Sequence, residues 1–305
     1  MTGQDAHPDL ICVGAQKAGT TWLDSVLRRM PQFYTPPFKE LHYFSECHMD
    51  NVAKYAPGSR RKQALEVLDW VASLLPDPPQ DQIDRLAMAL HAATPITDDE
   101  WYRVIFTGAA PVQCRVEICP SYFDLPAAGI AHAFALNPAL KVLILVRDPV
   151  ERAWSHMRML LDQEYIARQT DDLVPETLGP LWDDVVAYSD YITALSRWRA
   201  QARPEAIHLV PYDRIASEPE ALISDICDWA AVDSRPPPDD VRTPVFVGKD
   251  IPMPSKVRAE LLGALDPQYG ALAQDLPEEV ENWHNEHLRC LGAPGRIWRG
   301  AAGTT

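Results

Sequence analysis

Basic residues are scarce in this chain of 305 residues, where 28 Lys and Arg stand against 43 Asp and Glu for a formal net charge of −15. Nucleic acids and anionic membranes are held mainly by clustered Lys and Arg, so this balance excludes them as partners. No basic arm at either end replaces the missing charge. Any anionic ligand must therefore be met by a local cationic pocket. Glycine is sparse too, 14 residues against 28 prolines, which favours fixed connections over floppy linkers. The six cysteines, Cys12, Cys47, Cys114, Cys119, Cys227 and Cys290, contain no Cys-x-x-Cys pair. Neither a zinc site nor a redox motif is indicated, and reduced thiols in a reducing compartment are expected. Cys47 beside His48 lacks further partners at ligand spacing. Long apolar runs are also missing. Leu10 to Val13 is too short for a signal h-region, and no stretch reaches the roughly 18 apolar residues that span a bilayer. The expected address is the cytoplasm.

What is present is a core-forming composition: 47% hydrophobic residues, nine Trp and ten Tyr. The apolar run Leu10-Ile-Cys-Val13 reads as a strand, Gly14 to Gly19 as a loop, and Thr20 to Met30 as an amphipathic helix with Trp22, Leu23, Val26, Leu27 and Met30 on one face. Phe38 to Ser45 reads as an extended stretch leading into a turn. Arg61 to Leu75 and Asp81 to Ala93 are helical in period, and Thr97-Asp-Asp-Glu100 is a capping box before Trp101 to Phe106. Val112 to Ile118 is a second strand candidate. Leu140-Lys-Val-Leu-Ile-Leu-Val146 is the strongest, apolar enough to be buried on both faces. A helix follows from Val150 to about Leu161. Trp182 to Gln201 and Leu222 to Ala231 read as helices, Ile207 to Tyr212 as a strand, and Ser255 to Leu265 as a last helix. No repeat or low-complexity tract interrupts the alternation of strands and helices. A parallel α/β sheet in a single domain is the expected architecture.

Chemistry concentrates first in Gly14-Ala-Gln-Lys-Ala-Gly-Thr-Thr21. A strand that ends in a glycine-bounded loop opening onto a helix aims backbone N–H groups and the positive helix end at one point, which suits a tetrahedral anion. The glycine spacing is that of a Walker A loop, but Thr20 stands where that motif requires Lys, and the lysine lies inside the loop as Lys17. That shift disfavours a nucleoside triphosphate with Mg²⁺. By itself such a loop could also be a structural turn.

The loop resembles the 5′-phosphosulfate loop of the sulfotransferases that use 3′-phosphoadenosine 5′-phosphosulfate (PAPS). Val142 to His156 resembles that family's 3′-phosphate segment, in which a strand-end Arg and a Ser on the next helix grip the phosphate. The resemblance implies a P-loop-like parallel sheet flanked by helices, with residues 1–305 as one domain carrying a helical insertion at about 60–106. It implies Gly14, Gln16, Lys17, Ala18, Gly19, Thr20, Thr21 and Trp22 as donor-binding residues, with Arg147 and Ser155 on the 3′-phosphate. Lys249, in a shortened loop Phe246-Val-Gly-Lys249, is a further candidate contact. Arg suits phosphate because its planar fork donates charge-assisted hydrogen bonds, and Ser155 follows Arg147 at about two helical turns.

Phe38-Lys-Glu-Leu-His-Tyr-Phe44 resembles the catalytic-base segment of the glycan-type branch, the heparan-sulfate enzymes and their bacterial relatives. Glu117-Ile-Cys-Pro-Ser-Tyr-Phe123 resembles the same branch's Glu-Lys-Thr/Ser-Pro-x-Tyr segment, and Trp101, Tyr102 and Phe106 its preceding helix. Ile118 replaces the branch's Lys, so that residue's substrate-facing role does not carry over. The resemblance implies Glu40 as general base, with His42 as the competing base, and Lys17 stabilising the leaving phosphate. PAPS would be the co-substrate, adenosine 3′,5′-bisphosphate the product, and no metal would be required. The acceptor is a hydroxyl compound, with residues 48–100 and 160–182 expected to shape its side; a glycan, a lipid headgroup and a small alcohol or phenol all fit. Two rival readings remain: a P-loop kinase using ATP and Mg²⁺, and a non-catalytic nucleotide-binding protein of the same fold. Oligomeric state is not legible.

Overall fold

Leu10, Ile11, Cys12 and Val13 are wholly buried, as an unbroken apolar run in the middle of a sheet must be. In the computed structural model, which describes residues 6–167, 169–245 and 249–298, they form the first strand of a five-stranded parallel sheet. The strands are β1 (Leu10–Gly14), β2 (Phe33–Tyr34), β3 (Cys114–Ile118), β4 (Lys141–Val146) and β5 (Ile207–Pro211). Their spatial order is β2-β3-β1-β4-β5, and every pairing is parallel. After β1 the chain builds one side of the sheet, then crosses to the other for β4 and β5. The reversal falls between β1 and β4, where open α/β sheets leave a crevice beyond the carboxyl ends of the strands. The Gly14–Gly19 loop and the Arg147-Asp148 turn both leave from that edge. Among the described residues no helix is long and apolar enough to cross a membrane.

Several local expectations shift. The stretch expected to be extended through Ser45 turns helical at Tyr43 (Tyr43–His48), because Tyr43 stacks on Tyr102 at 4.2 Å and Phe44 packs edge-on to Tyr102 and Tyr122. The helix before β3 is capped by Asp98, not Thr97: the Asp98 carboxylate accepts the Trp101 N–H at 3.0 Å. The single helix expected over 182–201 is two, Pro180–Ala187 and Tyr191–Gln201, since Asp190 accepts the Thr193 N–H and starts the second. The helix from Ser255 runs to Leu272 rather than 265, through Pro267, following the buried stripe Val257, Leu261, Leu265, Tyr269 and Leu272. Strand β2 and the helices Ala127–Leu136 and Pro277–Cys290 were not expected. The expected insertion contains Ala56–Ala72, Gln80–Ala92 and Asp99–Ile105.

Candidate active site

Lys17 sits in the middle of the first loop in the left-handed region, at φ 69°. The helix that follows (Thr20–Leu27) has Gly19 at its N-cap with no side chain capping its first N–H groups. Those donors stay available to a ligand. Across the crevice, Arg147 Nη1 donates to the Lys17 carbonyl at 2.9 Å, and its guanidinium lies over the Tyr212 ring at 4.6 Å. The two turns therefore form one pocket. Burial holds the Lys17 amine below its usual pKa, and Arg147, Arg158, Arg152 and Lys39 push it the same way. Five cations gathered in a chain of net charge −15 are the local pocket that its composition demanded.

Unspent hydrogen-bonding capacity accompanies that charge. Arg152 is fully buried, with Nε on Ser189 and Nη2 on the Val185 carbonyl, while its Nη1 has no partner. His156 Nδ1, Arg158 Nε and Gln16 Oε1 are buried and unpartnered as well. Buried polar atoms left unpaired are costly, and the free donors on Arg152 and Arg158 are of the kind that an anionic ligand would satisfy. Ser155 is buried on the helix Pro149–Asp162, two residues past Ala153 and beside His156. Asp148 caps that helix through the Val150 and Glu151 N–H groups and is gripped from behind by His287 Nε2 at 2.7 Å and Tyr269 OH at 2.8 Å. The C-terminal helices thereby brace the turn that carries Arg147.

The side chains of two candidates have partners outside the loop. Trp22 is buried with its indole N–H on the Val241 carbonyl at 2.9 Å. Lys249 is 74% exposed and pairs with Asp162 at 2.8 Å; its carbonyl accepts from Arg158. Residues 246–248 of the same loop lie outside the described residues.

Gly19 is held to glycine by its surroundings. At φ 90° a Cβ would collide with Ile215 Cδ1 and approach the Tyr212 ring carbons at 3.2 and 3.3 Å. Gly19→Ala is expected to destabilise the fold by about 1–3 kcal/mol and to shift Tyr212, and with it Arg147. The affinity for inorganic sulfate or phosphate as an anion probe, measured by calorimetry, should then fall further than the loss of stability alone explains.

The base segment is equally constrained. Glu40 and His42 flank Leu41 with positive φ of 64° and 60°, so with Lys17 three of the five such non-glycine residues described belong to this site. Strain of this kind persists where surrounding contacts over-determine it. Here the Glu40 N–H bonds to Ile118 O at 3.1 Å, Leu41 O accepts from the buried Arg60 at 3.1 Å, and His42 Nδ1 meets Ser121 Oγ at 2.9 Å. Leu41 N–H also reaches the Glu117 carboxylate. The segment from Glu117 to Ser121 is thus the platform on which Glu40 and His42 are mounted. Ile118 in its middle is core, 2% exposed.

Glu117 is fully buried and takes hydrogen bonds from the Tyr102 and Tyr122 hydroxyls. Burial raises its pKa from 4.5 to about 7, against the lowering effect of those bonds. With the folded pKa above the unfolded one, this group's contribution to stability is full below pH 4.5 and is lost as pH rises through about 7, a span of about 3 kcal/mol. Glu117→Gln should flatten the fall in urea midpoint between pH 5 and 8. Equal slopes in both proteins would mean that Glu117 does not titrate there.

Lys39 connects base and loop. Its ammonium donates to Thr20 Oγ1 at 3.1 Å, Thr21 Oγ1 at 3.3 Å and Glu40 Oε1 at 2.8 Å. Sequence reasoning passed over Lys39 although it adjoins Glu40, and also passed over Tyr212, Arg152 and Ser121. His42 Nε2 is 3.7 Å from Glu40 Oε2. Burial lowers the His42 pKa, partly offset by Glu40 and Glu46. His48 bonds to His132 at 3.1 Å rather than joining Cys47 at a metal; among the described residues no group of three His, Cys, Asp or Glu is arranged to hold one.

A family model for the Sulfotransferase family matches residues 8–236, which includes every segment of this pocket except Lys249 and the C-terminal brace. The chain belongs to the Sulfotransferase family. Among curated relatives of this family member, mouse heparan sulfate glucosamine 3-O-sulfotransferase 5 is 29% identical over 130 residues, 39% of this chain. The Caenorhabditis briggsae bifunctional heparan sulfate N-deacetylase/N-sulfotransferase 1 is 21% identical over 240 residues, 73% of this chain. These matches span only 36% and 22% of the relatives' own lengths. Among solved structures, a sulfotransferase from Alicyclobacillus acidocaldarius superposes with a TM-score of 0.62 at 22% identity, covering 91% of this chain and 98% of that one. The sulfotransferase domain from the curacin biosynthetic pathway gives 0.54 at 16% identity, covering 95% and 99%. At these identities the structures attest the shared fold.

Proposed function

We propose that this chain transfers a sulfuryl group from PAPS to an acceptor hydroxyl, with Glu40 as general base. The observation that supports the reading is the hydrogen bond from Arg147 to the Lys17 carbonyl, which ties the Arg147 turn to the Gly14–Gly19 loop and brings the two cations together. When bound, PAPS supplies the activated sulfuryl group and a bisphosphate leaving group. Arg147, with Ser155 beyond it, holds the 3′-phosphate. The N–H groups of Gly19, Thr20 and Thr21, together with Lys17, hold the 5′ end and neutralise charge growing there. Gly14, Gln16 and Ala18 complete the loop. Glu40 removes the acceptor proton: its carboxylate is 35% exposed, whereas His42 is 3% exposed and turned to Ser121. His42 orients Glu40 in this reading. Lys39 ties the base to the loop's hydroxyls, so donor and acceptor chemistry meet at one ammonium.

The helices between residues 48 and 100 and the stretch 160–182 border the acceptor side of this single domain. A thermal-shift series tests the donor. Stabilisation by adenosine 3′,5′-bisphosphate without Mg²⁺ is expected. Stabilisation only by ATP with Mg²⁺ would replace this reading with a kinase, and donor binding with no transfer of labelled sulfate to any acceptor in a cell extract would leave a non-catalytic binder.

A further inference from the structure

Two tyrosines of this region pack edge-on against histidines. Tyr55 sets its ring edge-on to His42 at 5.5 Å, and Tyr188 sets its ring edge-on to His156 at 5.2 Å. They come from separate segments, one just ahead of the helix Ala56–Ala72 and one at the end of the helix Pro180–Ala187. Tyr55 lies within electrostatic reach of Tyr188, Cys119 and Glu40. His156 in turn feels Arg152 and Lys17. The order Glu40, His42, Tyr55, Tyr188, His156, Lys17 thus traces a wall from the base to the donor loop. Among the described residues neither phenol hydroxyl is bonded to another group, and the 6%-exposed His156 keeps an unpartnered Nδ1.

The charge around this wall is predominantly acidic. Residues 43–106 hold ten Asp and Glu against six Lys and Arg, and residues 160–190 hold eight against one. Cations within the first segment are partly committed: Arg60 to Glu46, Arg103 to Glu100, and Arg85 to the Pro37 carbonyl and the Trp70 face. Asp183 and Asp184 are exposed on the helix that ends at Tyr188, and Asp184 acts directly on Tyr188. Of the five clustered cations, Lys17, Arg147, Arg152 and Arg158 stand on the donor side, and Lys39 is paired with Glu40. The curated relatives are named for heparan sulfate, a polyanion. A polyanion approaching this mouth would meet predominantly like charge, with Lys54, Arg61 and Lys62 as the exposed cations of the first segment.

We infer that the acceptor is an uncharged hydroxyl compound presenting a ring face to Tyr55 and Tyr188, a phenol or a neutral pyranoside, and that anionic glycans are turned away. The ring lies against the tyrosines, the two phenol hydroxyls and His156 Nδ1 meet its polar edge, and the reacting hydroxyl points to Glu40. This rests on the sulfotransferase reading above.

The test uses the whole chain, labelled PAPS and matched acceptors: 2-naphthol against 6-hydroxy-2-naphthoate, octyl glucoside against octyl glucuronide, and heparosan as the polyanion. Each neutral member should exceed its anionic partner in kcat/KM by about tenfold or more, with a gap that narrows at high salt. The naphthol and glucoside arms tell a phenol from a pyranoside. Tyr55→Ala and Tyr188→Ala should each raise the acceptor KM several-fold with the donor KM unchanged, and Asp184→Lys should shrink the discrimination against anions. Equal or better use of the anionic acceptors, or unchanged acceptor KM in both tyrosine variants, overturns the inference. So does a protein that binds adenosine 3′,5′-bisphosphate yet sulfates no neutral probe, an outcome that leaves the donor assignment standing. Failure to bind the bisphosphate at all instead removes the sulfotransferase reading.

Discussion

Lys17→Ala is expected to slow sulfuryl transfer by about 10²–10³-fold, the usual cost of removing one preorganised donor from a developing charge. Binding of adenosine 3′,5′-bisphosphate should weaken far less, because Arg147 and the helix N–H groups remain. The unliganded fold provides an internal control. Burial and four neighbouring cations hold the Lys17 pKa below 10.5. A folded-state pKa held down in this way means that the charged ammonium costs the fold stability, a cost relieved as pH rises toward 10.5. The alanine variant should melt no lower than the parent without ligand. A structural lysine would give the opposite, a lower melting temperature with unchanged turnover, and that pair of results would remove Lys17 from the chemistry.

Glu40→Gln is expected to cost about 10²–10⁴ in kcat, the range for a positioned general base. The amide keeps the size of the side chain and can still accept from Lys39, so donor binding should stay within a few-fold of the parent. His42→Asn is the partner experiment. If His42 only orients Glu40, its loss should cost less than the loss of Glu40 itself. Turnover within tenfold of the parent for Glu40→Gln, with near-abolition for His42→Asn, would transfer the role of base to the imidazole. Because burial lowers the His42 pKa, that imidazole is neutral at pH 7 and would be competent to take a proton.

The tightly local parts of the site were legible in the chain. A strand, a glycine-bounded loop with Lys17 inside it, and a helix are encoded within eighteen consecutive residues, 10–27, and took the shape that their spacing implied. The same holds for β4, the Arg147 turn and the helix from Pro149, where Asp148 and Pro149 supply cap and first turn. Errors arose where side chains met partners far along the chain. Tyr43 becomes helical because Tyr102 and Tyr122 wait for it and its neighbour, and the helix expected over 182–201 breaks where Arg152 claims Ser189. Lys39 carried no signal of its own; only the approach of residues 38–42 to the first helix gives its ammonium two hydroxyls to bind.

By itself, then, the sequence determined the strand-loop-helix around Lys17, the strand-turn-helix around Arg147 and the acidic balance of the chain, and it put Glu40 and His42 forward as candidate bases. Those properties depend on residue type and short-range spacing, which local backbone geometry converts directly into structure. Tertiary structure alone decided that Arg147 reaches the Lys17 carbonyl, that Ile118, Ser121 and Arg60 clamp the strained Glu40–His42 segment, that Tyr55 meets His42, and that Tyr188 meets His156. These contacts join residues from 13 to 130 positions apart. Which of many such pairs forms is settled only when the sheet order brings β1, β3 and β4 side by side.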